Sequence, residues 1–128
     1  MRQLTSHRVN GLNEALTIGV QDEPGQGNAC HVYLIAWPLP DKPYGTSDVV
    51  GTCSIRFQNG PISESGVNGI SNEALLAIVE DRLIGFQSGE YACRENAVAL
   101  TKIQEALLWL GKRTRDRMAR GVEGTNQK

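Results

Sequence analysis

The spacing of hydrophobic and polar residues changes along the chain near Gly66. Before this point, short apolar runs are separated by residues that favour turns. After it, apolar residues recur every three or four positions. The first pattern is typical of short strands and the second of amphipathic helices. We therefore expect an α+β protein, with an N-terminal antiparallel β-sheet followed by a two-helix C-terminal hairpin.

The chain has 128 residues, which is close to the usual size of one domain. Its apolar fraction of 40% is that of an ordinary globular protein. We expect a single domain over residues 1–128, made of a β-rich part at 1–66, a helical hairpin at 67–121 and a tail at 122–128.

Three strands are predicted in the first half, at Ala15–Gln21, Ala29–Trp37 and Val49–Gln58, and a short return strand at Ile62–Ser65. Apolar side chains of the second strand fall on both of its alternating faces, as expected for a central strand. The segment Pro38–Ser47 contains three prolines and is predicted to be a loop. Local turns between the strands favour an antiparallel sheet.

The first helix is predicted to begin after Ser71, a favourable N-cap, and to end at Ser88–Gly89. Its apolar residues share one face through spacings of three and four, and they are Leu75, Val79, Leu83 and Phe86.

The second helix is predicted over Tyr91–Arg120, with Ser88 as its cap, because no proline interrupts this segment. Its apolar positions also repeat at three and four, and they are Val98 or Leu100, Ile103, Leu107 and Leu110. A helix of roughly 30 residues is about 45 Å long, whereas a compact domain of this size is roughly 36 Å across. The helix therefore either bends or protrudes from its own domain. A protruding apolar stripe needs a partner, and self-association is the simplest way to supply one.

The distribution of charge adds a candidate anion site at the end of the second helix. Net charge is −1 overall, but residues 101–128 carry seven basic and three acidic residues, so this segment is +4 and the remainder is −5. Arg113, Arg117 and Arg120 share one helix face, with Trp109 one turn before them. This spacing fits a solvated helix end favoured by the helix dipole, and it also fits a phosphate clamp of planar guanidinium groups. Trp109 either stacks on a base or packs in the core, and core packing is the more common role.

Residues that could catalyse a reaction form no recognised arrangement. Cys30 and His31 are neighbours in a predicted strand, so their side chains point to opposite faces. Gly111–Thr114 resembles the end of a phosphate-binding P-loop, but Ala106 stands where the first glycine is needed. The three cysteines lack the spacing of a zinc or redox motif, and we expect them to be reduced and packed. We therefore expect a binding protein without metal or cofactor rather than an enzyme, and no signal or membrane segment.

A family resemblance rests on seven segments that occur in a fixed order. They are Phe57–Ile62, Gly66–Ile70, Asn72–Val79, Tyr91–Ala97, Leu107–Leu110, Arg113–Arg117 and Arg120–Thr125. Together they resemble the first Thoeris anti-defence family of bacteriophages, over about residues 50–125. The helical half is also similar to the phage anti-CBASS nucleotide-sponge family, where CBASS is a bacterial immune system that signals through cyclic oligonucleotides.

The resemblance implies a function. Such proteins sequester, without cleaving them, the cyclic ADP-ribose isomers made by bacterial TIR-domain enzymes, so that the downstream effector is not activated. Some also hold CBASS cyclic di- or trinucleotides at a second site. The implied location is the cytoplasm of the infected host. The implied assembly is a homo-oligomer formed through the helices, with a dimer as building block and often a hexamer, and with no DNA partner.

The resemblance also assigns residues to these roles. Phe86 would stack on the base, and Asn96 would form a hydrogen bond with the ligand. Arg113 and Arg117 would hold the phosphates, and Arg56 would contribute from the sheet. The second nucleotide site would consist of Arg120, Gly121, Val122, Gly124 and Thr125.

Two other functions are open alternatives. The first is a small nucleic-acid-binding phage regulator that uses the basic C-terminal helix, although the net charge of −1 and the poor turn between the helices disfavour it. The second is a hydrolase of the nucleotide signal, for which His31 and Cys93 are the candidate residues.

Overall fold

The structure, a computed structural model, describes residues 2–40 and 46–128. Its elements, in chain order, are β1 Arg2–Leu4, α1 Gly11–Ala15, β2 Thr17–Val20, β3 Val32–Pro40, β4 Thr46–Arg56, α2 Ile62–Ser65, α3 Asn72–Gln87 and α4 Arg94–Ala119. A short 3₁₀ turn at Gln26–Asn28 lies between β2 and β3. A sheet followed by two long helices confirms the predicted α+β class.

The chain divides into two compact units, Met1–Asn59 and Gly60–Lys128, which we call the sheet unit and the hairpin unit. The sequence pattern predicted the boundary between the β-rich part and the helical part about six residues later, near Gly66. The organisation of residues 1–128 as a single domain stays a prediction.

The described strands of the sheet unit form one antiparallel sheet in sequential order. β3 lies between β2 and β4, and its side chains from Val32 to Trp37 are half-buried. Both faces of β3 are therefore partly covered, which confirms its prediction as a central strand. Val20 on β2 is the most completely buried large side chain among the described residues, with 1% exposure.

The carboxylate of Asp22 holds the start of β3. Oδ2 accepts a hydrogen bond from the backbone N–H of His31 at 2.9 Å, and Oδ1 accepts one from Val32 at 3.2 Å. The bond from His31 is the main reason that the pKa of Asp22 lies below its usual value, because it favours the charged form. The imidazole of His31 is buried, with Nδ1 4.0 Å from the same carboxylate. His31 and Asp22 therefore form part of the framework of the sheet.

Both strands of the central hairpin extend into the proline-rich segment that was predicted to be a loop. β3 continues to Pro40 and β4 begins at Thr46, and the rest of the predicted loop, residues 41–45, lies outside the described residues. β2 pairs with β3 no further than Ala36. Beyond that point β4 is the only described neighbour of β3, and a proline is tolerated at such an open edge because no N–H is required there.

The segment Ile62–Ser65 is the short helix α2, so the prediction of a return strand was wrong. The N–H groups of Ser65 and Gly66 donate to the carbonyls of Pro61 and Ile62 at 2.9 and 3.1 Å. Pro61 presets a φ suited to entering a helix, and Gly66, with φ of 67°, ends the turn. β1 and α1 were not predicted, because elements of three and five residues are too short to show a period.

The helix α3 begins where the sequence predicted, since the hydroxyl of Ser71 accepts a hydrogen bond from the N–H of Ala74 at 3.0 Å. It ends at Gln87, and Ser88 closes it by donating its hydroxyl to the carbonyl of Gly85 at 2.7 Å. Ser88 therefore belongs to the end of α3, and the prediction that it caps the next helix was wrong.

The helix α4 is capped by Cys93, whose sulfur accepts a hydrogen bond from the N–H of Asn96 at 3.4 Å. It spans Arg94–Ala119, which is shorter than the predicted Tyr91–Arg120. Its 26 residues correspond to a length of about 39 Å. Among the described residues, no helix is long and apolar enough to cross a membrane.

The helices α3 and α4 pack against each other. On α4 the predicted stripe is confirmed at the half-buried residues Leu100, Ile103, Leu107 and Leu110. On α3 it is confirmed at Leu75 and Leu83 only, because Val79 and Phe86 are 38% and 42% exposed. The half-buried face of α3 instead follows Leu76, Glu80, Leu83 and Gln87, whose spacing is equally helical.

The three cysteines are free thiols in different surroundings. Cys30 is buried in the sheet unit, whereas Cys53 on β4 and the helix cap Cys93 are exposed. The expectation of packed thiols is therefore correct for Cys30 and wrong for the other two.

Gly51 on β4 lies opposite Trp37 on β3, and a Cβ atom at this position would lie 2.4 Å from the indole ring. The Gly51→Ala variant must move the ring or separate the strands, so we expect a loss of about 1–3 kcal/mol in the free energy of unfolding. Chemical denaturation measures this loss. At Gly11 an added Cβ would meet nothing within 4 Å, and Gly11→Ala should change stability by less than about 0.5 kcal/mol. Equal effects of the two variants would exclude the ring contact as the cause.

Candidate functional site

A basic cavity of about 530 Å³ lies at the C-terminal end of α4, within the hairpin unit. It is lined by Trp109, Lys112, Arg113, Asp116, Arg117, Arg120 and Lys128. Cavities of about 300–1,000 Å³ are typical of small-molecule sites. The three arginines and the tryptophan that share a helix face in the sequence therefore also share one cavity.

The charges of this basic cavity are only partly compensated. The ammonium of Lys112 lies 2.7 Å from the carboxylate of Asp116, and this hydrogen bond is the main cause that lowers the pKa of Asp116. Among the described residues, Arg113, Arg120 and Lys128 form no ion pair within 4.0 Å. They supply an excess of positive charge that an anion can neutralise.

Arg117 differs from its neighbours because it is buried, with 7% exposure. Its Nε donates to the carboxylate of Glu123 at 3.0 Å, and Nη2 donates to the carbonyls of Val122 and Thr125 at 2.9 and 3.2 Å. Nη1 donates to the carbonyl of Gln127. A guanidinium has five N–H donors, so the C-terminal tail, residues 122–128, occupies four of them.

The burial of Arg117 follows from its position on α4. The half-buried residues Leu107, Leu110 and Thr114 precede it at spacings of three and four, and Arg117 is the next position of the same stripe. Arg117 thus belongs both to the arginine face and to the packed face. The packed face determines its surroundings here.

The tail is held at several further points. The carbonyl of Gly124 accepts a hydrogen bond from the N–H of Ser63 at 3.1 Å, and the amide of Asn126 donates to Glu64 at 3.3 Å. Gly124 has φ of 80°, and a Cβ there would lie 2.9 Å from Ile62. The residues predicted to form a second nucleotide site, Arg120 to Thr125, therefore build this tail, and their role in binding stays a prediction.

Phe86 and Asn96 lie at the opposite end of the hairpin, beside the turn that joins α3 and α4. The ring of Phe86 is 42% exposed, contacts Tyr91 edge-on at 6.5 Å and lies 5.6 Å from the guanidinium carbon of Arg82. Asn96 is half-buried in the first turn of α4. The Phe86 ring is thus accessible for stacking.

The two ends of the hairpin are too far apart to serve one small ligand within one chain. Arg113 follows Asn96 by 17 residues in the same helix, a separation of about 25 Å along the axis. A typical small-molecule pocket is only roughly 7–10 Å across, judged from its volume. A single chain therefore does not bring Phe86 and Asn96 together with Arg113 and Arg117.

The remaining residues to compare with the sequence predictions are Arg56, Trp109 and two lysines of the basic cavity. Arg56 is exposed at the end of β4, in the sheet unit, where it pairs with Val32. Trp109 is 71% exposed, so it does not pack in the core of this chain. Lys112 and Lys128 line the basic cavity but were not predicted. Lys112 could have been predicted, because Asp116 lies four positions after it on the same helix face as the arginines. The position of Lys128 depends on the fold of the tail.

The fold and the basic cavity define a small α+β protein whose C-terminal helical hairpin presents a site suited to an anion. Residues 51–115 match the family described as Acb2/Tad1, hairpin domain, and because this match covers half of the sequence, the chain belongs to that family.

The sequence of a curated relative supports the same family membership. The chain is 56% identical over 75 residues to Thoeris anti-defense 1 of Bacillus phage SBSphiJ7, which covers 59% of this chain and 53% of the relative. The chain thus spans about half the length of the curated relative it matches. Together with the family match, this confirms the resemblance to the first Thoeris anti-defence family.

The structure predicts different consequences for two arginines of the basic cavity. Arg117→Ala removes the hydrogen bonds that Arg117 donates to Glu123 and to three tail carbonyls, so we expect a loss of about 2–4 kcal/mol in the free energy of unfolding. Arg113→Ala removes an exposed side chain and should cost less than about 0.5 kcal/mol. Denaturant titration of both variants checks this, and similar stabilities would show that the bonds to the tail contribute little.

Proposed function

We propose that this protein is a phage anti-defence protein that acts in the cytoplasm of the infected bacterium. It binds and sequesters cyclic ADP-ribose isomers produced by TIR-domain immune enzymes, and it does not cleave them. The observation that carries this proposal is the basic cavity, with exposed Trp109 and Arg113, in a chain of the Acb2/Tad1 hairpin family. The name of the relative from a Bacillus phage supports the Thoeris anti-defence role.

The chemistry of the cavity matches that of the ligand. Cyclic ADP-ribose carries a pyrophosphate, and guanidinium groups bind phosphate oxygens through paired, charge-assisted hydrogen bonds. It also carries an adenine, which an exposed aromatic ring can stack against. Sequestration requires affinity for the ground state of the ligand and no stabilisation of a transition state. A set of phosphate and base contacts without a catalytic arrangement fits this requirement.

The complete site is proposed to contain two copies of the chain. Phe86 and Asn96 lie at one end of the hairpin, about 25 Å from Arg113. Two hairpins related by a two-fold axis and paired antiparallel would place the Phe86 end of one copy beside the Arg113 end of the other. Each dimer would then hold two equivalent sites, and the family resemblance suggests a hexamer built from three such dimers.

The hairpin carries apolar side chains that suit such an interface. The large exposed ones on α3 and α4 are Ile78, Val79, Ile84, Phe86, Val98, Leu108, Trp109 and Met118. Leu108 and Trp109 are 66% and 71% exposed in the middle of α4. Large apolar residues at this density on one element mark interaction surfaces.

The remaining assignments belong to the same proposal. Arg117 holds a ligand phosphate through the one donor that the tail leaves unused, and Arg56 contributes from the sheet. Cyclic di- or trinucleotides bind at a second site formed by Arg120, Gly121, Val122, Gly124 and Thr125. The second site is supported by the family resemblance alone.

Removal of Arg113 should weaken ligand binding while the assembly persists. We expect Arg113→Ala to reduce the affinity for cyclic ADP-ribose isomers by about 10- to 100-fold, because a charge-assisted phosphate contact is lost. Titration calorimetry with a panel of isomers measures this, and native mass is measured in parallel. Arg115→Ala is the matched control, since Arg115 is exposed on the same helix but does not line the basic cavity.

The ligand recovered after denaturing the native complex should be chemically intact. A hydrolysed product formed at enzyme-like rates would overturn sequestration, and unchanged affinity of Arg113→Ala would show that the site lies elsewhere.

Complementation tests whether two chains build one site. Phe86→Ala and Arg113→Ala should each bind poorly alone. A mixed dimer of the two keeps one site with both residues intact, so co-expression should restore binding in about one quarter of the sites. Calorimetric stoichiometry of the co-expressed protein checks this. A mixture that binds no better than the separate variants would contradict a shared site.

A further inference from the structure

We propose that Arg117 affects ligand binding mainly as a positioning residue, by holding the tail of residues 122–128 against the end of α4 so that Lys128 completes the basic cavity. This inference rests on the proposed function, since it concerns the same cavity. It differs from the role that the sequence suggests for Arg117, in which the guanidinium itself is the main phosphate ligand.

The environment of Arg117 is the first argument. Its side chain is 8% exposed, and four of its five donors are directed to Glu123 and to tail carbonyls. A phosphate could replace these acceptors only by breaking charge-assisted hydrogen bonds that are already formed and desolvated. Arg113 and Arg120 are exposed in the same cavity and present no such obstacle.

The construction of the tail is the second argument. The tail carbonyls turn toward one guanidinium because Gly121 and Gly124 adopt φ of 72° and 80°, values that favour glycine. Gly124 also fits against Ile62, and its carbonyl receives the N–H of Ser63. A segment fixed by Arg117 on one side and by α2 on the other is an integral part of the hairpin unit.

The contribution of the tail to the cavity is the third argument. Lys128 lines the basic cavity although it is 11 positions beyond Arg117, past the end of α4. It can do so only when the intervening residues are folded back. Lys128 then adds a cation beside Arg113 and Arg120, so the positive charge of the cavity depends on Arg117 indirectly.

The test separates charge from position. Arg117→Lys keeps the charge but cannot reach the same set of acceptors, because an ammonium lacks the planar fork. Gly124→Ala keeps every charge and displaces the tail, because the added Cβ meets Ile62 at 2.9 Å.

Two readouts are measured for each variant. Hydrogen exchange of the Ser63 amide reports docking of the tail without any ligand. Calorimetry measures the affinity for inorganic pyrophosphate at low ionic strength.

We expect both variants to raise exchange at Ser63 by at least about tenfold and to weaken pyrophosphate binding by about two- to fivefold. Lys128→Ala should weaken binding by a similar factor in the native background and by nothing further in either variant, because the displaced tail has already removed Lys128 from the cavity. Gly27→Ala is the control. Gly27 has a similar positive φ, 71°, but lies in the sheet unit, and an added Cβ there would meet nothing within 4 Å. The Gly27→Ala variant should leave both readouts unchanged.

Several results would overturn the proposal. They are unchanged exchange at Ser63 in Arg117→Lys, native affinity in Gly124→Ala, or an additive loss when Lys128→Ala is combined with either variant. If Arg117→Lys fails to fold, Gly124→Ala decides alone. If the native protein binds neither pyrophosphate nor any cyclic ADP-ribose isomer, the proposed function fails together with the ligand half of this inference. The exchange data then still decide whether Arg117 holds the tail.

Discussion

The desolvated guanidinium of Arg117 is the interaction on which the C-terminal part of the hairpin unit depends. Removing such a charge from water costs several kcal/mol unless hydrogen bonds replace its hydration. Here the replacement comes from one carboxylate and three backbone carbonyls of a single short segment. The requirement to direct these carbonyls inward explains why glycines occupy positions 121 and 124, and it links the tail to α2.

The exposed cations of the basic cavity are arranged around this buried charge. Lys112 is compensated by Asp116 and Arg117 by Glu123, so the two acids reduce the charge without abolishing it. What is left to attract an anion is the group of Arg113, Arg120 and Lys128. An anion site of this kind combines one structural arginine with several accessible cations. Two of these cations, Arg113 and Arg120, lie about one helical turn before and after Arg117.

Much of the fold could be predicted from the sequence because periodicity reports burial directly. The cap at Ser71, the central strand around Val32–Trp37 and the stripe through Leu107 and Leu110 all follow from local patterns that tertiary contacts then reinforced. The short helix at Ile62–Ser65 was not predictable from period. Pro61 and Gly66 were its only signals, and both also fit a turn.

The candidate site was predictable in part for the same reason. Spacing placed Arg113, Arg117 and Arg120 on one face, and one cavity indeed contains all three. The spacing of the arginines alone does not show which of them is buried, because Arg117 lies at the boundary of two faces and its hydrogen-bond acceptors include residues up to ten positions later in the chain. Extending the stripe from Leu110 through Thr114 would have indicated it. The place of Lys128 depends on the path of the tail, for which no periodic signal exists.

The distance between the two ends of the hairpin has a consequence for how such a protein would respond to its own abundance. If Phe86 of one copy and Arg113 of another act on one ligand, an isolated chain holds only half of each site. Capture of ligand then begins only when protein accumulates beyond the dissociation constant of the dimer, and bound ligand in turn holds the two copies together. Dilution would dissociate the dimer and release the ligand together. The apparent affinity for the ligand would therefore depend on the protein concentration as well as on the contacts in the pocket.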